Sequence, residues 1–482
     1  MTTPELIQLA DLVRTHQAEF QTIEVKAAHQ GCPHKLYDTL SSFSNQDEGG
    51  TILFGLDEKT GFAPVGIYDA QDLQKQVTEQ CNQMEPPVRA FFTIAEYAGV
   101  TICSAEIPAV DYAERPCYYK GKGRSTGSYL RVGDADLVMT DLELYSYEAF
   151  RRHLHDDERQ VPRASLSQFD QNTLESYLLK RRMERPGFSR LSSADAYEML
   201  NITRGGEPTL AAVLNFSIYP QAFFPQLCIT AVVVPGSEIG CVDENSARFL
   251  DNKRIEGTVK EMLAGALEFC TRNMKVQTVV DPSTGARADR TEYPINAIRE
   301  ALLNALIHRD YSNFTEGTPI QLDFFQDRLE IHSPGALYGR MTVDQLGHAR
   351  PDLRNPTLAT MTEALTGAEN RYSGIPTIRR ELQEAGLPAP VFENRRNEFV
   401  VTFYNKRTVP APAERPTKQD HASDLLTFCQ TPRTRKELSE FLGIKSTFYA
   451  MQHYVLPLVT AGKLAMTLPD TPRSRNQKFY TV

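Results

Sequence analysis

The sequence predicts an α+β protein built from several domains. Its 482 residues exceed the length of one ordinary domain and suggest about three. Amphipathic helical patterns alternate with short strand patterns along the chain, and a proline-rich charged segment near the end marks a domain boundary. Hydrophobic residues make up 41% of the chain and charged residues 23%, as is typical of soluble globular proteins. We expect domains at 1–150, 168–405 and 423–482, joined by linkers at 151–167 and 406–422.

The composition argues against several classes of protein. Eight cysteines are scattered without a Cys-x-x-Cys pair, which disfavours zinc and a disulfide framework and favours a reducing compartment. The N-terminus lacks a basic segment followed by an apolar core, and the most apolar run, 227–234, is much shorter than a membrane span. We therefore expect a cytoplasmic protein without membrane contact.

Charge is distributed unevenly along the chain. The formal net charge is −9, but residues 406–482 carry +6 and the remainder carries −15. A basic terminal domain on an acidic body is the asymmetry expected of a localised polyanion contact. We expect a nucleic-acid partner, with duplex DNA as the first choice and RNA as the alternative.

The first predicted domain alternates helices and strands. Periodicity and turn residues predict helices at 1–18, 36–43 and 69–84 and strands at 19–28, 51–56, 90–96, 100–107 and 129–132. A glycine-rich loop with Lys120, Lys122 and Arg124 precedes the strand that contains Arg131. These four cations are candidate phosphate contacts, and a merely solvated basic loop is the alternative.

Three motifs in this domain resemble the Schlafen-type AlbA domain. They are Glu-x4-Glu-x-Lys at 19–26, Ser-x-x-Asn followed by Gly-Gly-x-Ile-x-x-Gly-x-Asp at 42–57, and Tyr-Leu-Arg-Val-Gly at 129–133. The resemblance implies nucleic-acid binding, with Lys26 among the contacts.

The same resemblance implies a second chemistry. In eukaryotic Schlafen proteins, acidic residues at the positions of Glu19, Glu24 and Asp57 form a metal-dependent RNA-cleaving centre. The alternative function is therefore a nuclease with Mg²⁺ or Mn²⁺ on these carboxylates, for example in anti-phage defence. A purely structural role is also open, in which Glu24 pairs with Lys26 and Asp57 opens a turn.

The densest pattern in the sequence lies at 292–334. Ile298, Leu302, Leu303 and Leu306 recur at helical spacing, and a β-hairpin pattern follows at 320–331. Glu300, Asn304 and His308 are spaced by four residues and share one strip of this helix. A carboxylate, an amide oxygen and an imidazole in a row can polarise water, bind Mg²⁺ and contact phosphate, although a polar helix face has the same pattern.

This helix resembles the N-box helix of GHKL-type ATPases, in the divergent RecG-related form of bacterial transcriptional regulators that also carry the AlbA domain. In that family the position of Glu300 is the water-activating base and that of Asn304 the Mg²⁺ ligand. The resemblance thus implies ATP and Mg²⁺. Three downstream motifs match the family's nucleotide-contacting segments: Ser-Pro-Gly at 333–335, Arg-Asn-Pro at 354–356 and Ser-Gly at 373–374. The resemblance therefore implies the following cofactor contacts in addition to Asn304: His308, Ser333, Gly335, Asn355, Ser373 and Gly374. Tyr372 replaces the family's lid glycine and argues against hydrolysis.

The last 60 residues predict a winged helix-turn-helix. A helix from Ser423, a capping box at 434–437, a third helix from Ser446 and two strands at 463–468 and 478–482 fit that order. A protein–protein contact is the alternative role. The expected DNA-contacting side chains are Lys445, Thr447, Tyr449 and Gln452 on the third helix and Arg473, Arg475 and Lys478 on the wing.

These patterns favour a DNA-binding regulator with a divergent nucleotide-binding core. The alternatives are the metal-dependent nuclease and a GHKL-type ATPase that uses Glu300. Both the ATPase-like module and winged helices commonly dimerise, so we expect a homo-oligomer, at least a dimer.

Overall fold

A computed structural model gives the fold and describes residues 1–280, 287–367, 373–405, 425–426, 428–441, 451–460, 463–468 and 477–481. The chain forms two compact units, 1–408 and 409–482. Within the described residues, no helix is both long and apolar enough to cross a bilayer. All eight cysteines lie in described segments as free thiols.

The N-terminal domain is built around a four-stranded sheet. Its helices are α1 (Thr3–His16), α2 (Tyr37–Asn45), α3 (Ala70–Asn82), α4 (Arg124–Gly127) and α5 (Asp141–Arg152), and its strands are β1 (Ile23–Lys26), β2 (Gly50–Phe54), β3 (Leu56–Asp57), β4 (Ala63–Pro64), β5 (Met84–Glu85), β6 (Phe91–Tyr97), β7 (Val100–Ile107), β8 (Tyr118–Tyr119), β9 (Tyr129–Val132) and β10 (Ala135–Val138). The main sheet has the order β1-β2-β7-β6, and only β1 and β2 are parallel.

Both faces of this sheet are covered by helices, because apolar residues occupy both sides of its inner strand β2. Leu53 packs into a cluster with Leu6 and Val13 of α1. Phe54 points to the opposite side and packs with Leu40 of α2 and Leu73 of α3. The predicted helices and strands of this domain are confirmed, with end points that differ by a few residues.

The central domain contains the largest core. Its helices are α6 (Gln171–Glu184), α7 (Ser193–Met199), α8 (Leu210–Phe216), α9 (Val259–Asn273), α10 (Ile295–His308), α11 (Pro356–Thr366) and α12 (Gly374–Glu384), and its strands are β11 (Thr203–Arg204), β12 (Glu207–Pro208), β13 (Ile229–Val233), β14 (Asp251–Ile255), β15 (Val276–Val280), β16 (Arg287–Thr291), β17 (Ile320–Phe324), β18 (Arg328–Pro334), β19 (Val391–Asn394) and β20 (Glu398–Tyr404). Six strands form one sheet in the order β14-β13-β17-β18-β20-β19. The predicted apolar stripe of α10 is confirmed, since Ile298 and Leu302 are fully buried in this core.

Two sequence predictions differ from the fold of this domain. The amphipathic pattern at 254–272 predicts one long helix, whereas α9 begins at Val259, because the Thr258 side chain and Glu261 form a capping box and the edge strand β14 ends before it. The segment 151–167, predicted as a linker, is packed into the unit. Its Asp157 carboxylate is fully buried and accepts a hydrogen bond from the Leu358 N–H at 2.7 Å, in the first turn of α11.

The second unit is small and mixed. Its described helices are α13 (Arg435–Phe441) and α14 (Leu456–Thr460), preceded by a π-helical turn at Met451–Val455, and its strands β21 (Arg433–Thr434), β22 (Leu464–Met466) and β23 (Lys478–Thr481) form a sheet of order β21-β23-β22. The predicted capping box is confirmed, because Glu437 N–H donates to Thr434 Oγ1 at 3.3 Å and Thr434 N–H donates to the Glu437 carboxylate at 2.8 Å.

Candidate functional site

The polar strip of α10 lines a cavity of about 180 Å³ in the central domain. Glu300, Asn304 and His308 all contribute to its wall, so the predicted strip is confirmed as one surface. Arg299 Nη1 donates to Glu300 Oε1 at 2.7 Å. This contact holds one oxygen of the carboxylate.

The start of α12 closes the cavity above the strip. A methyl group built on Gly374 would lie 3.2 Å from Asn304 Nδ2, which is tighter than ordinary contact, and 3.4 Å from Glu300 Oε2. A glycine therefore allows the helix to begin directly against the two polar side chains. The predicted Gly374 lines the cavity, whereas Ser373 does not and Tyr372 lies outside the described residues.

His308 stands at the C-terminal end of the strip. Its side chain is solvent-accessible and contributes to the cavity wall. Loss of hydration lowers the pKa of its imidazole, and the Arg354 charge acts in the same direction. The ring is therefore neutral at pH 7, with one nitrogen able to donate and the other to accept a hydrogen bond.

The segment that leaves β18 forms the next part of the wall. Ser333 Oγ donates to the Ala305 carbonyl at 3.1 Å, which fastens β18 to α10. Gly335 follows with φ +98°, and a Cβ there would lie 2.4 Å from Arg354 Nη1 and 2.5 Å from Asp310 Cβ. Both predicted residues line the cavity, and Gly335 permits the Arg354–Asp310 ion pair of 3.0 Å to pack against the backbone.

Asn355, a predicted cofactor contact, has a different role. Its side chain is buried outside the cavity lining, and its Nδ2 donates to the carbonyls of Ile307 and Arg309 at 2.8 Å each. These carbonyls belong to the last turn of α10 and to its C-cap residue, where helix carbonyls need donors from outside the helix. The residue fastens the start of α11 to the end of α10, which corrects its assignment as a ligand contact.

Three further polar residues of the wall were not predicted: Tyr338, Asp352 and Glu363. Tyr338 follows Ser-Pro-Gly by three residues and Asp352 precedes Arg-Asn-Pro by two, so their proximity to the recognised motifs was an available signal. Among the described lining residues there are three carboxylates and no lysine or arginine. Most of the remaining lining is apolar, including Ile331, Ile375, Ile378 and Val401.

The acidic trio of the N-terminal domain is not assembled as a metal site. The Arg131 guanidinium lies 2.7 Å from Glu24 Oε2 and 3.6 Å from Glu19 Oε2, and Lys26 also pairs with Glu24. Asp57 instead accepts a hydrogen bond from Lys59 N–H at 3.0 Å and caps a 3-10 turn. Across the described parts of the chain, no group of three or more His, Cys, Asp or Glu side chains is arranged so that it could hold a metal ion. The trio does not fit the predicted metal centre, because cations already hold two of the carboxylates.

Burial of this network changes the titration of Glu19. Its pKa is raised to about 7, first by burial and then by the neighbouring negative charge of Glu24.

The predicted basic loop is largely neutralised by nearby acids. Arg131 is not an exposed phosphate contact, since only 1% of its side chain is exposed and it also pairs with Asp136 at 3.1 Å. Lys120, Lys122 and Arg124 remain partly exposed, but each has an acidic partner. These pairs are Lys120–Glu85 at 3.2 Å, Lys122–Asp38 at 3.1 Å and Arg124–Glu148.

Most predicted DNA contacts of the second unit lie outside the described residues, namely Lys445, Thr447, Tyr449, Arg473 and Arg475. Gln452 lies in the turn Met451–Val455, and Lys478 is an exposed residue at the start of β23. Their roles stay predictions.

Family models match three separate parts of the chain. Residues 19–140 match the model described as Schlafen, AlbA_2. Residues 317–403 match the model described as "Putative ATP-dependent DNA helicase recG C-terminal", which begins after α10 and covers the sheet strands β17 to β20 with α11 and α12. Residues 420–481 match the C-terminal domain of Fic-like proteins, named for filamentation induced by cAMP.

Solved structures give weaker likenesses. The DIP2311 protein from Corynebacterium diphtheriae is 18% identical, with 96% of this chain and 93% of that chain covered and a TM-score of 0.39. The N-terminal domain of a RecG-related protein from Nitrosomonas europaea is 25% identical, with 29% of this chain and 96% of that chain covered and a TM-score of 0.23. No curated protein sequence matches the chain.

The two longer family matches agree with the resemblance that the sequence motifs predicted. They fall on the first sheet domain and on the domain that contains the cavity. The chain is therefore a multidomain α+β protein with an N-terminal domain similar to Schlafen AlbA_2 and a central domain similar to the RecG-related ATPase-like module.

Proposed function

We propose that this chain is a nucleic-acid-binding regulator whose central domain binds ATP together with Mg²⁺. The observation that carries the nucleotide proposal is the cavity, which combines an apolar lining with an oxygen-bearing strip from one helix. Pockets for small ligands have this composition, with a few polar groups that orient the ligand.

The charge of the cavity makes Mg²⁺ part of this proposal. Glu300, Asp352 and Glu363 would repel a triphosphate, and the described lining offers no basic side chain against them. The Glu300 and Asn304 oxygens lie one helical turn apart and fit the one or two protein ligands that Mg²⁺ commonly takes beside phosphate and water. Mg²⁺ bound there would neutralise phosphate charge, and neutral His308 could exchange a hydrogen bond with the ligand.

Calorimetric titration tests the nucleotide proposal. Wild-type chain should bind ATP in the presence of Mg²⁺ and lose most of that affinity in EDTA. Asn304→Ala should lower the affinity with Mg²⁺ by about tenfold, the worth of one charge-assisted contact. Asn296→Ala, on an exposed part of the same helix, is the matched control and should leave the affinity unchanged. Equal affinity with and without Mg²⁺ would refute the proposed role of the carboxylate-rich wall.

Binding without efficient turnover is the expected behaviour. Tyr372 occupies a position at which the resembled family has glycine, and Arg299 already pairs with the candidate base Glu300. Phosphate release should therefore remain at background, and a rate abolished by Glu300→Gln would instead support the ATPase alternative.

The nucleic-acid proposal draws support from the match at 19–140 and from the +6 charge after residue 405. Titrations with duplex DNA and with bulk transfer RNA over a salt series should show affinity that falls as salt rises, because phosphate contacts release counterions. No salt-dependent binding to either would refute it. Shortened products that disappear with a chelator and with Glu24→Ala would favour the nuclease. Light scattering on the same samples tests the predicted homo-oligomer.

A further inference from the structure

The segment 335–340 forms one wall of the cavity and is fastened at several points to its own domain. Gly335 N–H donates to the Asn397 carbonyl at 2.8 Å, and Leu337 N–H donates to Asn394 Oδ1 at 2.8 Å. Arg340 N–H donates to Asp352 Oδ2 at 3.2 Å. Tyr338 lies between these points, half-buried, and its side chain contributes to the cavity wall.

The N-terminal domain contacts the same segment from outside. The Phe150 ring of α5 lies 5.5 Å from the Tyr338 ring, at an interplanar angle of 66°. Arg340 Nη2 and Nε lie 3.0 and 3.3 Å from the Asp111 carboxylate, and the Arg340 guanidinium lies 5.3 Å from the Phe150 ring. The segment is therefore held between the two domains.

Phe150 is itself firmly placed. Its ring is buried and makes an edge contact with Tyr112 at 4.9 Å, and Tyr112 also contacts Tyr147 one turn earlier in α5. On the central domain's side, the Arg354 guanidinium lies 5.2 Å from the Tyr338 ring centroid. An aromatic ring fixed by neighbours on two domains loses little freedom when a ligand stacks on it.

We propose that Tyr338 is the residue on which the base of the bound nucleotide stacks, and that Phe150 and Asp111 of the N-terminal domain position it. The inference rests on the proposed nucleotide binding in this cavity. Aromatic stacking contributes more as the shared ring area grows, so the site should prefer purine over pyrimidine nucleotides. The N-terminal domain thereby completes a site whose other walls belong to the central domain.

The test measures affinities of the full chain for ATP and for CTP, each with Mg²⁺, and compares their ratio. Tyr338→Leu should lower the affinity for ATP by about fivefold or more, the lower range for loss of one base–aromatic stack. CTP has the smaller stack to lose, so the preference for ATP should fall as well. Tyr338→Phe should retain it. Phe150→Ala should reduce the preference in the same direction, and the milder Phe150→Leu and Asp111→Asn guard against a folding defect.

Glu143→Gln is the matched control. Glu143 makes a second ion pair between the domains, with Arg396 Nη2 at 2.9 Å, but does not touch segment 335–340. Glutamine can still serve the capping box of α5. The ATP-to-CTP ratio should be unchanged in this variant.

The outcomes separate this inference from the proposed function. If the wild-type chain binds neither nucleotide, the proposed function fails and the assignment of Tyr338 fails with it. If the wild-type chain prefers ATP and Tyr338→Leu keeps that preference, only the assignment of Tyr338 is overturned. A ratio that falls equally in Glu143→Gln and Asp111→Asn would show general loosening between the domains and would overturn the positioning role.

Discussion

Gly335→Ala should destabilise the cavity wall strongly, although it adds only one methyl group. The residue has φ +98°, and the added methyl group would lie 2.4 Å from Arg354 Nη1 and 2.5 Å from Asp310 Cβ. Two costs follow, the strain of an L-residue at positive φ and the displacement of a buried ion pair that is 3.0 Å long. The first is worth about 1–2 kcal/mol and the second about 1–3 kcal/mol. The free energy of unfolding should therefore fall by about 2–5 kcal/mol.

Gly367→Ala isolates the first cost, the strain of a side chain at positive φ. Gly367 also has positive φ, +66°, but a Cβ there would meet no atom of the described residues within 4 Å. The free energy of unfolding of this variant should fall only by the strain, about 1–2 kcal/mol. Urea unfolding followed by circular dichroism would compare the two variants, using the transition of the unit 1–408. Equal destabilisation by the two substitutions would refute the packing argument. Gly335→Ala should also weaken ATP binding, because Arg354 contacts Tyr338.

Two further predictions concern buried charge. Arg131→Met should lower the free energy of unfolding of the N-terminal domain by about 3–5 kcal/mol, because it leaves Glu24 and Asp136 without their buried partner. A thermal midpoint within about a degree or two of wild type would contradict this prediction. Burial raises the pKa of Glu19 and of Asp157 to about 7, so folding favours their protonated forms. Their contribution to stability is complete below the unfolded pKa values near 4 and is lost as pH rises through about 7. Thermal midpoints measured from pH 5 to 8 should fall less steeply in Glu19→Gln and Asp157→Asn than in wild type.

Local patterns predicted much of this fold. Helical spacing placed the buried face of α10 correctly, and the hairpin pattern after it became β17 and β18. Threonine and glutamate three residues apart likewise marked the start of α13. These features could be predicted because the residues that determine them are neighbours in sequence.

Features that depend on distant contacts were not predictable in this way. Arg131 resembled an exposed cation because Glu24, the acidic partner at the shortest distance, lies more than a hundred residues away. Segment 151–167 had the composition of a linker, but Asp157 has its hydrogen-bond donor at Leu358. The contact of Tyr338 with Phe150 likewise joins side chains of two different domains. No sequence window contains both members of such pairs.

Hydrogen exchange of the full chain with and without ATP and Mg²⁺ would locate the bound nucleotide and thereby test whether it occupies this cavity. We expect slower exchange in the second half of α10, in segment 335–340 and in the first turn of α12, three of the backbone segments that line the cavity. Hydrogen exchange should be unchanged in the edge strand β14 and in its neighbour β13. If saturating nucleotide slowed exchange only in other segments, or in no segment, the assignment of this cavity as the nucleotide site would be contradicted.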